Sequence, residues 1–189
     1  MTMLITDLAD VLRAAGVKVS EVPGWKTASH RPMLAVRGVI CHHTAGPPHA
    51  HGTPSLNVVI RGRPDVSGPL CNIYLATDGT AYTVAAGRAN HAGKGEFHGI
   101  TDGGSNLIGI EAENAGDGHD PWPAVQMDAY ARICAALAKH YGYSNVFLLA
   151  PDGYMHLRLN PAASALSPDV AELVHKAITT GKSLHGEVH

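Results

Sequence analysis

A short apolar strand that runs directly into two histidines decides how the rest of the sequence is interpreted. Residues 36–46 read Val36-Arg-Gly-Val-Ile-Cys-His42-His43-Thr-Ala-Gly46. The apolar run predicts a buried strand, in which alternation puts Ile40 and His42 on one face and Cys41 and His43 on the other. A histidine at the end of a rigid strand can be aimed at a metal, although a hydrogen-bonded pair of structural histidines has the same spacing. Only one of the two is therefore expected to face a site on a given side of the sheet.

The composition describes one globular domain of 189 residues and 19.8 kDa. Apolar residues make up 45% of the chain, enough to bury a core. No apolar run approaches the roughly 18–20 residues that span a bilayer, so membrane insertion is not expected. A formal charge of −2 gives no basic surface for nucleic acid. We expect a monomer with a single domain over residues 1–180, in which residues 1–30 form a helix and strand packed on the rest, and a flexible tail over 181–189.

The cysteines and the N-terminus indicate where the chain is made. Three cysteines without paired spacing argue against a disulfide framework, and reduced thiols are typical of synthesis in the cytosol. Residues 1–16 predict a short amphipathic helix with neither a basic n-region nor an apolar h-region. No signal peptide is therefore expected.

The order of predicted elements favours an α/β domain with a central mixed sheet flanked by helices. Asp78-Gly79 predicts a hairpin between strands at 72–76 and 81–84. Further strands are predicted at 17–22, 36–41, 107–113 and 145–150, and helices at 121–141 and 168–179. The apolar run at 55–61 is too short to distinguish helix from strand.

Two acids interrupt the apolar strand Leu-Ile-Gly-Ile-Glu111-Ala-Glu113, and alternation puts both on one face. A carboxylate inside a buried strand is costly unless it is paired, hydrogen-bonded or functional. Burial there would raise its pKa into the range of a general base. The other interpretation is a pair of solvent-facing acids on an exposed sheet face.

Four motifs in one order resemble a known family. They are Gly38-Val-Ile-Cys-His42-His43-Thr-Ala-Gly46, Asp78-Gly-Thr-Ala-Tyr82, Asn90-His91-Ala-Gly93 and Ile108-Gly-Ile-Glu111. Together they resemble the type 2 N-acetylmuramoyl-L-alanine amidases of the zinc amidase and peptidoglycan-recognition-protein superfamily. The amidase domains of endolysins from actinobacteriophages are the most similar in these motifs, and the resemblance covers roughly residues 10–145.

The resemblance implies a zinc ion in a groove at one face of the sheet, with His42 as a ligand and Glu111 as the catalytic acid and base. It also implies substrate contacts by His91, His43, Thr44 and Asn72. Some relatives use a tyrosine on the strand before the Asp-Gly hairpin. Counting back from Asp78 puts that place near Cys71, so the tyrosine is expected to be missing.

The C-terminal quarter departs from the family pattern. The resemblance implies a Gly-His motif after the last strand, taken here as 145–150, and a Lys-x-Asp-Pro motif further on. Residues 150–169 contain neither. His156 is the histidine in that region and is assigned as the second zinc ligand. Asp169 is assigned as the third, with Asp152 and His175 as rivals, and Ser167 stands where a basic residue is expected.

The function implied is a phage endolysin that cleaves the amide between N-acetylmuramic acid and L-alanine in peptidoglycan by zinc-activated water. Such a protein is made in the host cytoplasm without a signal peptide and acts at the cell wall after release. One alternative is a peptidoglycan-binding module with a degraded zinc site. Another is a cytosolic amidase that recycles soluble muropeptides.

Overall fold

The computed structural model describes residues 2–93, 96, 99–143, 145–150 and 153–158, the last two ranges as backbone. Its helices are α1 (Leu8–Ala14), α2 (Leu56–Arg61), α3 (Gly103–Asn106) and α4 (Ala124–Tyr141). Its strands are β1 (Val19–Glu21), β2 (Gly38–His43), β3 (Gly62–Arg63), β4 (Val66–Ser67), β5 (Ile73–Leu75), β6 (Ala81–Thr83), β7 (Leu107–Ala112), β8 (Asn145–Ala150) and β9 (Gly153–Arg158). In these ranges no helix is both long and apolar enough to cross a membrane.

Seven of the described strands form one mixed sheet in the order β1-β6-β5-β7-β2-β8-β9. β2 and β7 lie side by side and parallel at its centre, and β8 adds to the other side of β2 in the same direction. β5 and β6 pair antiparallel across the Asp-Gly turn, and β9 pairs antiparallel with β8 at the edge. β3 and β4 form a separate hairpin. The structure confirms the predicted α/β class with a central mixed sheet.

One face of this sheet is covered by α1 and α4. Alternate residues such as Val39, Cys41 and Ile110 pack there against apolar side chains of both helices. The buried apolar side chains of α4, within the helix predicted over 121–141, lie in this cluster. The helix ends at Gly142, whose φ of 71° allows its N–H to donate to Ala138 O at 3.0 Å. The opposite face is left for the polar residues of β2, β5 and β7.

The structure changes several predicted elements. The run at 55–61 is helical, and β2 continues through His43. The hairpin β3–β4 was not predicted, since strands of two residues carry no periodicity. Residues 145–150 are not the last strand, because β9 follows and contains His156. The predicted helix over 168–179 and tail over 181–189 lie outside the described residues.

Candidate active site

The central strands place His42 and Glu111 next to each other. The parallel register of β2 and β7 pairs these two residues, and neighbouring strands lie about 4.8 Å apart. On the other side of β7, Tyr74 of β5 is paired with Glu111. Residues in register on adjacent strands share a face, so the three side chains stand on one side of the sheet. We call this side the site face.

His42 is a buried, neutral imidazole. Its residue is 6% exposed, and the hydroxyl of Tyr130 on α4 donates to its backbone carbonyl at 3.0 Å. Burial lowers the pKa of His42 well below its ordinary value, and the nearby His91 and His43 add to the effect. A neutral imidazole keeps a lone pair for a metal ion, which fits the predicted role.

Glu111 is partly exposed on the site face. Burial of its carboxyl group raises the pKa of Glu111 to about 8; the positive charge of Arg63 opposes the rise and the negative charge of Glu113 adds to it. Within the described residues, no hydrogen bond ties the carboxylate to a neighbour. A carboxyl group of this pKa can take up and release a proton near neutral pH.

Glu113, just after β7, is fully buried and surrounded by donors. Its Oε1 accepts from the hydroxyls of Thr44 at 2.8 Å and Ser55 at 3.0 Å. Its Oε2 accepts from the Ser55 N–H at 3.0 Å and from the hydroxyl of Tyr74. This satisfies the charge that burial would otherwise make costly. The interpretation of the two acids as a solvent-facing pair is wrong, and Glu113 is a structural carboxylate.

The same carboxylate holds the loop over residues 45–54, because Thr44 and Ser55 stand at the two ends of that loop. A Cβ at Gly46 would lie 2.1 Å from Oε1 of Glu113, so only glycine allows this close approach. The tip is held separately, since the N–H of His49 donates to Oδ1 of Asp120 at 2.8 Å. The loop after His42 is therefore attached at three points.

His91 packs flat over β7 beside His42. The two rings are 5.6 Å apart between centroids, and a Cβ at Gly109 would lie 2.3 Å from the His91 ring. Its Nε2 is 3.2 Å from Leu107 O, so Nε2 carries the proton and donates it. Burial lowers the pKa of His91 to about 4, although the Leu107 carbonyl opposes this shift. The ring is neutral and forms part of the site face.

The structure shows the surroundings of three other residues predicted to contact substrate. His43 lies on the face opposite His42, against Gly116. Thr44 uses its hydroxyl on Glu113. Asn72 is fully buried, donating to Ala85 O and Gly87 O and accepting from the Gly109 N–H. Thr44 and Asn72 thus use their polar groups inside the protein, and the substrate contacts of all three residues stay predictions.

Two residues near Glu111 were missed by the sequence reasoning. Tyr74 occupies the register position beside Glu111. It lies three residues after Cys71, near which the family tyrosine was expected and taken to be missing. Burial and its bond to Glu113 raise the pKa of Tyr74, so its hydroxyl stays protonated. Arg63 on β3 places a positive charge near Glu111. Neither has a local sequence signal, because strand pairing and an unpredicted hairpin bring them there.

Comparison with known proteins identifies the family. Residues 32–161 match the family model Amidase_2, described as N-acetylmuramoyl-L-alanine amidase. The chain belongs to this amidase family. The match includes His42, Glu111 and His156 and ends before Asp169. No curated protein sequence matches the amidase significantly.

Solved structures share the fold of the amidase at low sequence identity. A selenomethionine derivative of AmpD has a TM-score of 0.57 and 18% identity over 92% of this chain and 99% of that one. The Drosophila peptidoglycan recognition protein SA has a TM-score of 0.52 and 14% identity over 70% and 80%. The N-acetylmuramoyl-L-alanine amidase LysC from Clostridium intestinale has a TM-score of 0.50 and 19% identity over 68% and 80%.

The described residues of the amidase supply one of the three predicted zinc ligands in full. His42 fits, as a buried neutral imidazole on the site face. His156 is paired with Phe147, which is paired with Ile40, two positions before His42. Asp169 and its rivals Asp152 and His175 lie outside the described residues. In the described part of the chain no three His, Cys, Asp or Glu residues form a metal-binding group.

Proposed function

We propose that this amidase is a zinc-dependent peptidoglycan hydrolase of the endolysin type, acting on the amide between N-acetylmuramic acid and L-alanine. The pairing of His42 with Glu111 at the centre of the sheet carries the proposal. It sets a neutral imidazole beside a carboxyl group whose pKa burial raises to about 8. His42, His156 and Asp169 would hold the metal. The protein would act at the cell wall after release from the cell that makes it.

Zinc held there would polarise the scissile carbonyl and make the attacking water more acidic. Glu111 takes the proton from that water as the oxygen attacks the carbonyl carbon. It then gives the proton to the amide nitrogen as the carbon–nitrogen bond breaks. The stem peptide leaves with a free amino group on L-alanine, and N-acetylmuramic acid keeps the new carboxylate. The absence of a hydrogen-bonded neighbour in the described residues leaves its carboxylate available for both transfers.

The other residues of the site face do not compete with Glu111 for the proton of the attacking water. Tyr74 is held protonated against Glu113, so it does not compete for the proton. His91 is neutral, with Nε2 bound to Leu107 O. Its ring forms a fixed wall beside His42 against which the muramyl peptide would pack. Burial of these groups lowers the local dielectric, which strengthens the interaction of Glu111 with the reacting atoms.

The experiment is mass spectrometry of a purified muropeptide after incubation with the protein, with and without a zinc chelator. Release of the free stem peptide, lost with chelator and restored by zinc, is the expected result. Asp128→Asn serves as the matched control, because Asp128 lies on α4, which covers the other face of the sheet, paired with Arg132. Intact substrate with folded, zinc-supplemented protein would refute the hydrolase.

A peptidoglycan-binding module without catalysis is the second candidate. It is favoured by one observation, namely that residues 150–169 contain neither the Gly-His nor the Lys-x-Asp-Pro motif that the resemblance implies. Titration calorimetry with the same muropeptide distinguishes the two. Binding without zinc and without product supports the module, whereas zinc-dependent product excludes it. Activity on soluble muropeptides but none on intact sacculi would instead indicate a recycling amidase.

A further inference from the structure

The hairpin β3–β4 lies on the same side of the sheet as Glu111. It follows α2 directly, and Val59 of α2 packs in one apolar cluster with Tyr74, Cys71 and Val84. Tyr74 stands on the site face beside Glu111. The hairpin therefore borders the site face, and Arg63 is the second residue of its first strand, β3.

The position of the hairpin is fixed by its backbone. Gly68 N donates to Arg61 O at 3.1 Å, and the side chain of Asn90 donates to Ser67 O at 3.0 Å. A Cβ at Gly68 would lie 2.2 Å from Ile60 O, and one at Gly62 would lie 2.3 Å from Gly68 N. The start and the end of the hairpin are therefore in close backbone contact. Asn90, which bonds to the hairpin, is the neighbour of His91 on the site face. Arg63 is thus carried on a rigid support.

The guanidinium of Arg63 is open to a ligand. Its side chain is 57% exposed, and its partner Asp65, at 3.2 Å, is 68% exposed. An exposed ion pair of this kind contributes little and exchanges readily with another anion. The positive charge of Arg63 also acts on Glu111 of the site face, since it opposes the rise in the pKa of that residue.

We propose that Arg63 is a specificity-determining residue that binds a free carboxylate of the stem peptide close to the scissile amide. This inference rests on the proposed function. Guanidinium groups bind carboxylates through two parallel hydrogen bonds, whereas a carboxamide carries no charge and offers one acceptor. A residue next to the scissile L-alanine lies about 4–7 Å along an extended peptide, so its carboxylate is the group within reach. The substrate favoured is a muramyl peptide with D-glutamate after L-alanine.

The test compares two synthetic N-acetylmuramyl tripeptides in which the γ-carboxyl of the second residue is linked to L-lysine amide. They differ only in the α-carboxyl of that residue, which is a free carboxylate in the D-glutamate peptide and a carboxamide in the D-isoglutamine peptide. We expect the wild-type protein to prefer the free carboxylate by about tenfold in kcat/KM. Arg63→Gln should remove this preference by raising KM for the D-glutamate peptide alone. Loss of the Arg63 charge near Glu111 would change kcat for both peptides by the same factor, so the ratio of their kcat/KM values reports the carboxylate contact. Arg61→Gln is the matched control, being an exposed arginine at the end of α2, and should keep the preference.

An equal loss on both peptides would overturn the inference, because it would place Arg63 in the chemistry or in folding. An unchanged preference would overturn it as well. Calorimetric binding of both peptides to the wild type and to Arg63→Gln separates this from the proposed function. If no peptide is cleaved but the two peptides still differ in Kd in an Arg63-dependent way, the proposed hydrolase function is wrong and the assignment of Arg63 stands. If the two peptides do not differ in Kd, the assignment of Arg63 is wrong.

Discussion

Glu111 and Glu113 stand two residues apart on the same side of the sheet, and their surroundings are opposite. Oxygens of Glu113 accept hydrogen bonds from Thr44, Ser55 and Tyr74. Glu111 has no such bond within the described residues and remains partly exposed. The same residue type on one short segment therefore has a structural role in one position and is available for chemistry in the other.

Glu111→Gln should lower the rate of muropeptide hydrolysis by about 10²–10⁴-fold, because the amide cannot accept the proton of the attacking water. The free energy of unfolding should not fall and should rise at neutral pH, since burial penalises the ionised carboxylate and no described neighbour donates a hydrogen bond to it. Product formation by mass spectrometry and urea unfolding measure the two effects. A variant that retains wild-type turnover would exclude Glu111 as the general base.

Glu113→Gln should destabilise the protein by about 1–3 kcal/mol, because the amide NH₂ would face hydroxyl and N–H donors that it cannot accept from. Urea unfolding of this variant beside Glu111→Gln gives the measurement, each variant serving as the control for the other. Equal stability of the two variants would show that the buried hydrogen bonds of Glu113 contribute nothing net.

His42→Ala should abolish stoichiometric zinc, measured by elemental analysis after gel filtration of zinc-loaded protein. His43→Ala should retain it, because that ring lies on the opposite face against Gly116. Circular dichroism shows whether both variants are folded. Loss of zinc in the His43 variant together with retention in the His42 variant would reverse the assignment.

Gly109→Ala should destabilise the protein by about 1–3 kcal/mol, since the added methyl group would lie 2.3 Å from the His91 ring. Gly93→Ala is the matched control, because a Cβ there would have no atom within 4 Å. Thermal unfolding of both variants measures the difference. If the Gly109 variant is as stable as the control, the His91 ring moves aside without cost.

Asp7 gives a pH dependence whose sign is fixed by its neighbours. Burial opposes ionisation, but hydrogen bonds from Tyr141 and His140, each 2.7 Å long, outweigh it and lower the pKa of Asp7. A lowered folded-state pKa stabilises the protein above the unfolded value near 3.8 and less as pH falls through the folded value.

Asp7→Asn should therefore reduce the free energy of unfolding at pH 7 by up to about 1 kcal/mol, a modest amount because the side chain is half-exposed. The difference from wild type should shrink at pH 3. Urea unfolding at both pH values gives the comparison, with the more exposed Asp10→Asn as control. A difference that is as large at pH 3 as at pH 7 would contradict a role for the ionised form.

The centre of the fold was predictable because its strands have strong local patterns. The apolar runs of β2 and β7 indicated buried strands, and alternation put His42 and His43 on opposite faces, as observed. The Asp-Gly turn indicated the β5–β6 hairpin. These patterns involve residues that are close in sequence, so a single sequence is enough to predict the corresponding strands and turn.

The rest depends on contacts between distant segments. The amide of Asn72 bonds with carbonyls of Ala85 and Gly87, which no local pattern of residue types shows. Tyr74 reaches Glu111 through strand pairing, and Arg63 through a hairpin of two-residue strands. β9 was missed because Gly153–Arg158 mixes polar and apolar residues without strict alternation. The roles of His156 and Asp169 remain predictions.

The separation of His42 from Glu111 is set by the hydrogen-bond ladder between β2 and β7, in which main-chain atoms do the pairing. Exposed side chains of the surrounding loops and hairpin can therefore change while this pair keeps its spacing, whereas Gly46, Gly62 and Gly68 have no room for a side chain. Changes of exposed residues around the site face can therefore alter substrate preference without moving His42 relative to Glu111. Such a fold is suited to rapid diversification, because the residues that recognise the substrate and the residues that carry out the reaction lie on different parts of the chain.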